Sequence, residues 1–532
     1  MINKITKKTL NIFKYFLISL GAITILITLL SFSIKGDAGN PIYYQTELDT
    51  KVGGPFESSG STSRYALTKS IVDNGTLLFN TELAKFASPD VVGVNGKYTT
   101  LFTPGVSFAA VPFYYLGNLF GLPQLGAFLS TTFFALLNIF LVYKVSRKFF
   151  VNRALSMISG LIFGFATSAT AYSNSLTQHH LSVTLLLLAV LNAAGKRNFL
   201  NNLLFGLIAG AAAIVDIPNL FMIVPVGLYI LAQNFSVSRI NEKLSLKMKL
   251  SVVALLLGVI PMFAAFGWYN YQTTGSYTKL AQSIGRTDIF ATDEIKEINK
   301  ANIAKSGSSP SAVPFETRAQ LNGFYILLIS DERGIFYYSP IIIFGLIGLL
   351  IAVKNKVKEN LAIVIISVAM VNVVLYSMFG DPWGGWSFGP RYLIPTLALL
   401  STGIGYALSR SIKNPFVVLL FTITLIYSVF VSALGTTTTN LIPPKVEALN
   451  LAVTVPYTYE YNIQLAQAEK AGTLIYNLFL RNLINVQTYI YMYAGLVSAL
   501  ILTLYYSAVI FTKVPGSENK RKLFNLKFWR KN

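Results

Sequence analysis

Apolar runs of about 20 residues recur from one end of this chain to the other, and a helix of that length spans a bilayer core of about 30 Å. They fall at roughly 12–34, 124–143, 154–172, 180–195, 199–214, 218–233, 248–271, 334–353, 360–379, 391–408, 414–434 and 489–512. The pattern predicts an all-α polytopic membrane protein, a bundle of about 12 transmembrane helices. The first run, NIFKYFLISLGAITILITLLSFSI, follows Lys4, Lys7 and Lys8. Its apolar core exceeds the roughly 7–15 residues of a signal peptide and no clear A-x-A site follows, so it is expected to remain as an anchor.

One further segment, TPGVSFAAVPFYYLGNLFG at 103–121, is apolar enough to count as a span. Pro104-Gly105 and Pro112 interrupt it. Counting it would also turn Lys144, Arg147, Lys148 and Arg153 outward, against the charge rule. It is expected to lie in the outer interface or to dip into it.

Charge sharpens this topology. The chain carries 43 Lys and Arg against 22 Asp and Glu, a net +21, which by itself invites a nucleic-acid reading. The basic excess, however, sits in short connections such as KVSRKFFVNR, KNKVKE and the tail KRKLFNLKFWRKN, where Glu242, Glu359 and Glu518 are the acids. That is the positive-inside signal of a plasma-membrane protein with both termini cytoplasmic, and no nucleic-acid partner is expected. Cysteine is absent, which excludes disulfides and thiolate metal sites.

Three outer segments are too long to be turns: 35 to about 123, about 272 to 333, and about 435 to 488. Long loops on a helical scaffold carry function, so the chemistry is expected on the extracytoplasmic side. Within the second, TDEIKEINKANIAKSGSSPSAVP reads as a surface helix followed by a flexible linker. A catalytic module over 1–434 is expected, with 435–532 adding a variable outer loop, a last helix and the basic tail.

Group transfer needs a carboxylate to deprotonate an acceptor, a cation to receive a leaving phosphate, and a fixed backbone for both. The first outer loop offers Arg64 beside Tyr65, and Asp90 close to the rigid Pro104-Gly105, among further acids that include Asp49 and Glu57. Taken singly, each acid reads better as a solvated loop residue; it is the loop as a whole that points to chemistry. His179 and His180 stand together at the mouth of a span. Neighbours on a helix diverge by about 100°, so the pair suits a phosphate contact or a satisfied interfacial histidine better than a chelate. Asp216, among apolar residues before Pro218, reads either as a functional membrane acid or as a helix-end cap. In ISDERG, Asp331, Glu332 and Arg333 abut Gly334 at a span mouth. The densest feature is FGDPWGGWSFGPRYLIP: Trp383 and Trp386 offer flat faces for a sugar ring, and Arg391 a guanidinium for phosphate.

The order SRYALTKSIVDNGTL, PDVVGVNGKYTTLFTPGVSFAAVPFYYLG, YSNSLTQHH, WYNYQTTGS, RGIFYYSP and WGGWSFGPRYLIP resembles the bacterial and archaeal GT-C membrane glycosyltransferases, which include protein O-mannosyltransferases and aminoarabinose transferases. The likeness runs to about residue 400 and is most specific in the GKY…PG block and in WGGWSFGPRY. It implies an inverting transferase that moves a sugar from a polyprenyl-phosphate carrier to a protein, lipid or polysaccharide acceptor. Many relatives carry Asp-Glu just before the Arg-Tyr, where this chain has Ser61 and Thr62. Others keep an acid before the GKY block. By the resemblance Asp90 ranks first as catalytic acid, ahead of Glu57 and Asp49. Substrate contacts are expected from Arg64, Tyr65, Tyr98, His179, His180, Asp216, Trp383, Trp386, Arg391 and Tyr392. Phe102 and Thr103 replace a basic residue common in relatives, which leaves Arg64, His180 and Arg391 as phosphate partners.

By the resemblance the donor substrate is a polyprenyl-phosphate sugar that already carries its activated phosphate, so no nucleotide-binding site is required. The acid-rich loop permits a divalent ion, but no ligand spacing demands one. Two alternatives stand beside the transferase: a transporter or flippase, which about twelve spans also suits, and an inactive relative that binds the lipid carrier without transfer.

Overall fold

The computed structural model describes residues 20–35, 54–240, 243–290 and 320–511. In chain order its main helices are α1 (Leu20–Ser31), α2 (Ser59–Asn74), α3 (Gly105–Asn118), α4 (Pro123–Ser146), α5 (Arg153–Phe165), α6 (His179–Ala193), α7 (Phe199–Val215), α8 (Asn219–Asn234), α9 (Val253–Thr274), α10 (Ile343–Lys354), α11 (Glu359–Ser377), α12 (Ile394–Ser411), α13 (Pro415–Thr437) and α14 (Val486–Phe511). Among the described residues six helices, those containing α4, α9, α11, α12, α13 and α14, are long and apolar enough to cross a membrane, and six shorter apolar ones accompany them. Each falls on one of the twelve runs read from the sequence. The chain is an all-α polytopic membrane protein. Asp49, both chain ends and the expected surface helix and linker around 291–313 lie outside the described residues.

One expected span is cut short. The run 154–172 forms α5 only as far as Phe165, and Ser168–Tyr172 continues as a 3₁₀ turn. The Thr167 hydroxyl donates to Phe163 O at 2.7 Å and the Thr170 hydroxyl to Gly164 O at 2.8 Å, so side chains satisfy the carbonyls that a longer helix would have used.

Helices meet through small residues, as apolar solvent requires when packing rather than water expulsion holds them together. A Cβ at Gly348 of α10 would lie 2.0 Å from Gly403 O of α12, and one at Gly345 2.1 Å from Leu400 O. Helix α3, with 14 residues, is about 21 Å long and packs between α2 and α4.

The described part of the first long segment, expected to be an outer one, is a packed cap. Beneath it Tyr65, Phe56, Phe86, Tyr114 and Phe128 form an aromatic cluster with ring centroids 5.0–6.4 Å apart. Its hairpin pairs β1 (Val91–Val94) with β2 (Lys97–Thr100) across Asn95-Gly96, whose φ values of 50° and 76° are what a two-residue hairpin turn demands. A second hairpin, β3 (Phe235–Ile240) with β4 (Lys243–Met248), joins α8 to α9.

Contacts cross the expected division at 434/435. Buried Glu57 accepts from the Thr439 hydroxyl at 2.7 Å and from Asn440 N at 3.1 Å, and lies 3.7 Å from buried Lys35. Lys35 Nζ in turn donates to Thr438 O at 3.0 Å. The start of the third outer segment is thereby stitched to the first.

Candidate functional site

Four side chains from distant parts of the sequence gather at one end of the bundle. Arg64 comes from α2, His179 from the first residue of α6, Asp216 from the turn between α7 and α8, and Arg391 from the 3₁₀ turn that opens α12.

Arg64 is buried, and its geometry follows from its neighbours. Gly60, one turn earlier, leaves room for the guanidinium: a Cβ there would lie 3.0 Å from Arg64 Nη1, which instead donates to Gly60 O at 3.0 Å. Nη2 donates to Gln178 Oε1 at 2.8 Å, and the guanidinium carbon stands 3.9 Å from the centre of the Phe102 ring. Its Nε is buried with no partner. Burial pulls the guanidinium down to about 10, nearby Asp216 and Asp90 oppose that, and Arg391 adds to it. Two cations are therefore close enough to repel each other, an arrangement that an anion between them would relieve.

Arg391 is held by the glycines before it. Gly384, Gly385 and Gly389 have φ of 73°, 61° and 59°, and a Cβ at Gly384 would sit 2.8 Å from Arg391 Nε. That Nε is also buried without a partner. Tyr392 stacks on Tyr376 with centroids 4.3 Å apart, and the Tyr172 hydroxyl donates to Phe388 O at 3.1 Å while accepting from Phe388 N at 2.9 Å. The path of the loop is thus fixed at Phe388 and at Tyr392.

Asp216 follows the last residue of α7 with extended backbone, φ −165° and ψ 133°, and is half-buried. Burial pushes its carboxyl up to about 6, against the pull of Arg64, of the Gln178 side chain and of the Ile217 N–H. It makes no ion pair among the described residues. Tyr376 and Tyr392 lie within its electrostatic reach.

The two histidines part company. His180 is buried with both ring nitrogens engaged, Nε2 2.9 Å from Ala169 O and Nδ1 3.4 Å from Asn138 Nδ2. His179 instead faces Tyr172 edge-on at 5.5 Å and is electrostatically coupled to both Arg391 and Arg64. His179, not His180, is therefore the ring within electrostatic reach of both arginines.

Asp90 is 2% exposed and its Oδ1 receives Arg286 Nη2 at 2.7 Å and Nε at 3.0 Å. Its carbonyl accepts from the Ser63 hydroxyl at 2.6 Å, next to Arg64. Thr287 N donates to Val91 O at 2.9 Å, so this stretch of the second outer segment lies along the edge of the hairpin. Glu57 clamps the cap to Thr439 and Asn440, as described above. Tyr65 is wholly buried in the aromatic cluster, and Tyr98 sits on the hairpin, its carbonyl accepting from Phe79 N at 2.7 Å. Trp386 Nε1 donates to Glu447, whereas the indole N–H of Trp383 is buried without a partner.

Three participants carry no sequence signal of their own. Gln178 bridges Arg64 and Asp216. Arg286 holds Asp90. Arg333, noticed only as a charge at a span mouth, is fully buried; it donates to Trp383 O at 3.1 Å, Ser387 Oγ at 3.1 Å and Ile442 O at 2.7 Å. It thereby ties the Trp383–Ser387 loop to the third outer segment. Among the described residues no three His, Asp or Glu side chains converge as metal ligands.

No family model and no curated protein matches the chain. Among solved structures it is similar to ArnT from Cupriavidus metallidurans in the apo state, at 14% identity and a TM-score of 0.45 over 93% of this chain and 77% of that one. The same protein bound to undecaprenyl phosphate gives 12% identity and a TM-score of 0.46 over the same shares. The Archaeoglobus fulgidus oligosaccharyltransferase in complex with Zn and sulfate gives 13% identity and a TM-score of 0.46 over 80% of this chain. This chain spans about half, 54%, of that oligosaccharyltransferase.

Proposed function

We propose that the chain is an integral-membrane glycosyltransferase that moves a sugar from a polyprenyl-phosphate carrier to an acceptor hydroxyl on the extracytoplasmic side. The observation that carries this reading is the pairing of two mutually repelling arginines, each with a buried unpartnered Nε, with a half-buried carboxylate that has no ion pair among the described residues. A phosphate between Arg64 and Arg391 relieves the repulsion and satisfies both donors.

In the reaction the acceptor oxygen attacks the anomeric carbon from the face opposite the phosphate, and the bond from that carbon to the phosphate oxygen breaks. Configuration inverts, the acceptor proton passes to a carboxylate, and the leaving polyprenyl phosphate keeps the bonding electron pair. Arg64 and Arg391 receive the charge that develops on it, with His179 beside them. We assign the proton to Asp216 in preference to Asp90. A carboxyl near 6 is poised to accept a proton at neutral pH, whereas Asp90 already holds Arg286. The Asp90 side chain then acts as a positioning group that holds Arg286 beside the hairpin, while its backbone carbonyl meets Ser63 next to Arg64. Trp383, Trp386 and Tyr392 supply the aromatic surface for the sugar.

A transporter needs polar groups near mid-membrane between interrupted helices, whereas His179, Asp216 and Arg391 stand at the ends of apolar helices and Arg64 on a helix that is not among the apolar spans. The test is transfer from a polyprenyl-phosphate sugar by the purified protein and by its Asp216→Asn and Asp90→Asn variants. Absence of transfer by the wild type rejects the reading, and full transfer by Asp216→Asn rejects that residue as the base.

A further inference from the structure

The opposite end of the same bundle holds a second polar site. Helix α6, with 15 residues, carries His179 at its start and Ala193 at its end about 22 Å away. Around Ala193 lies a cavity of about 380 Å³ between the ends of α6 and α8 and the turn joining α10 to α11. Lys148, Lys356 and Lys358 line it against a single carboxylate, Glu359.

Two features mark it as built rather than as a loose basic surface. Lys356 and Lys358 both have left-handed backbone, with φ of 54° and 49°, as does nearby Phe150 at 60°. Such conformations are uncommon outside glycine and asparagine and persist where the surroundings impose them. Lys358 Nζ also stands 5.6 Å from the centre of the Phe150 ring. The cavity wall further contains Gln233, whose Nε2 donates to Ala193 O at 3.2 Å while its Oε1 is buried with no partner. A buried acceptor without a donor calls for a ligand hydroxyl or N–H.

We propose that this cavity binds the headgroup of an anionic phospholipid that also bears hydroxyls, a phosphoglycerol group, in the leaflet opposite the transfer site. The lysines take the phosphate, and a glycerol hydroxyl donates to Gln233 Oε1. Leu361 and Ala194 provide apolar wall, and basic pockets between helices on the positively charged side of membrane proteins suit such headgroups. The proposal is independent of the transfer reading.

The test is native mass spectrometry of the full chain in detergent with phosphatidylglycerol and phosphatidylcholine of matched acyl chains. Wild type is expected to retain phosphatidylglycerol in preference, and the triple variant Lys148→Gln, Lys356→Gln, Lys358→Gln to lose that preference, by roughly fivefold per lysine. The corresponding triple Lys→Arg variant is expected to keep it, which separates lost charge from lost fold. Gln233→Leu is expected to weaken phosphatidylglycerol binding with the lysines intact. Equal retention of both lipids by wild type, or an unchanged preference in the Gln triple variant, overturns the proposal. So does displacement of the lipid by millimolar inorganic phosphate, which would make the site one for the free anion.

Discussion

Arg64 donates to Gln178 Oε1 at 2.8 Å, and the same Gln178 side chain reaches Asp216. Gln178 thus stands beside both a buried cation and a half-buried carboxylate that form no ion pair with each other. That spacing suits the proposed sugar transfer, in which the cation meets the leaving phosphate and the carboxylate takes a proton, since a direct pair would occupy both groups.

Arg64→Lys keeps the charge but loses the planar fork that meets Gly60, Gln178 and Phe102 together. Transfer is expected to fall by about 10²–10³, with a smaller loss of thermal stability. Steady-state transfer with a polyprenyl-phosphate sugar checks it; a loss confined to melting temperature would make Arg64 structural.

Asp216→Asn tests the base, and its signs oppose one another. The folded carboxyl at about 6 lies above its ordinary 3.8, so the folded state binds its proton more tightly than the unfolded chain. Stability contributed this way is present at low pH and lost as pH rises from about 4 to 6. The variant is expected to melt higher than wild type above pH 6 and at an equal temperature near pH 4, while transfer falls by about 10²–10⁴. Wild-type transfer is expected to rise through pH 6. A variant that melts lower and transfers fully sinks the assignment.

Asp90 and Arg286 are expected to behave as one unit. Asp90→Asn leaves Arg286 unpaired but exposed, and Arg286→Ala leaves a carboxylate buried at 2% exposure. Each single change is expected to cost about 1–3 kcal/mol, and the double variant far less than the sum. Chemical denaturation of the four-member cycle checks it. Additive losses would mean that the pair does not couple the two outer segments.

The helical architecture was legible because its cause is local: each of the twelve apolar runs carries its own signal, and each falls on a helix. Hydropathy cannot see Thr167 and Thr170 taking carbonyls at the end of α5, so the run 154–172 read as one span. The site was legible only in part. Arg64, Asp216 and Arg391 stand out as charges beside apolar or glycine-rich sequence, and the Asn95-Gly96 turn was visible as a turn. That the three meet is a property of helix packing across more than 300 residues, which no window contains. Gln178, Arg286 and Arg333 gain their roles wholly from such distant partners. Between His179 and His180 the sequence offers no distinction; the turn at 168–172 supplies it, by placing Ala169 O against one ring and Tyr172 against the other.

Gly384→Ala carries the last prediction. The position combines a φ of 73° with a missing Cβ that would stand 2.8 Å from Arg391 Nε and 3.2 Å from the Tyr392 ring. Alanine costs about 1–2 kcal/mol for the left-handed backbone alone. It also pushes against a guanidinium that cannot retreat far, because Tyr392 is stacked on Tyr376 with centroids 4.3 Å apart. The displaced group is then Arg391, the second half of the proposed phosphate clamp. Gly384→Ala is expected to reduce transfer at least tenfold and to raise the apparent KM for the lipid-phosphate donor, whereas Gly385→Ala, with only Asp381 at 3.9 Å, pays the backbone strain without the clash. Comparing the two by melting temperature and by KM separates strain from displacement: equal KM values in the two variants would show that Arg391 does not contact the donor.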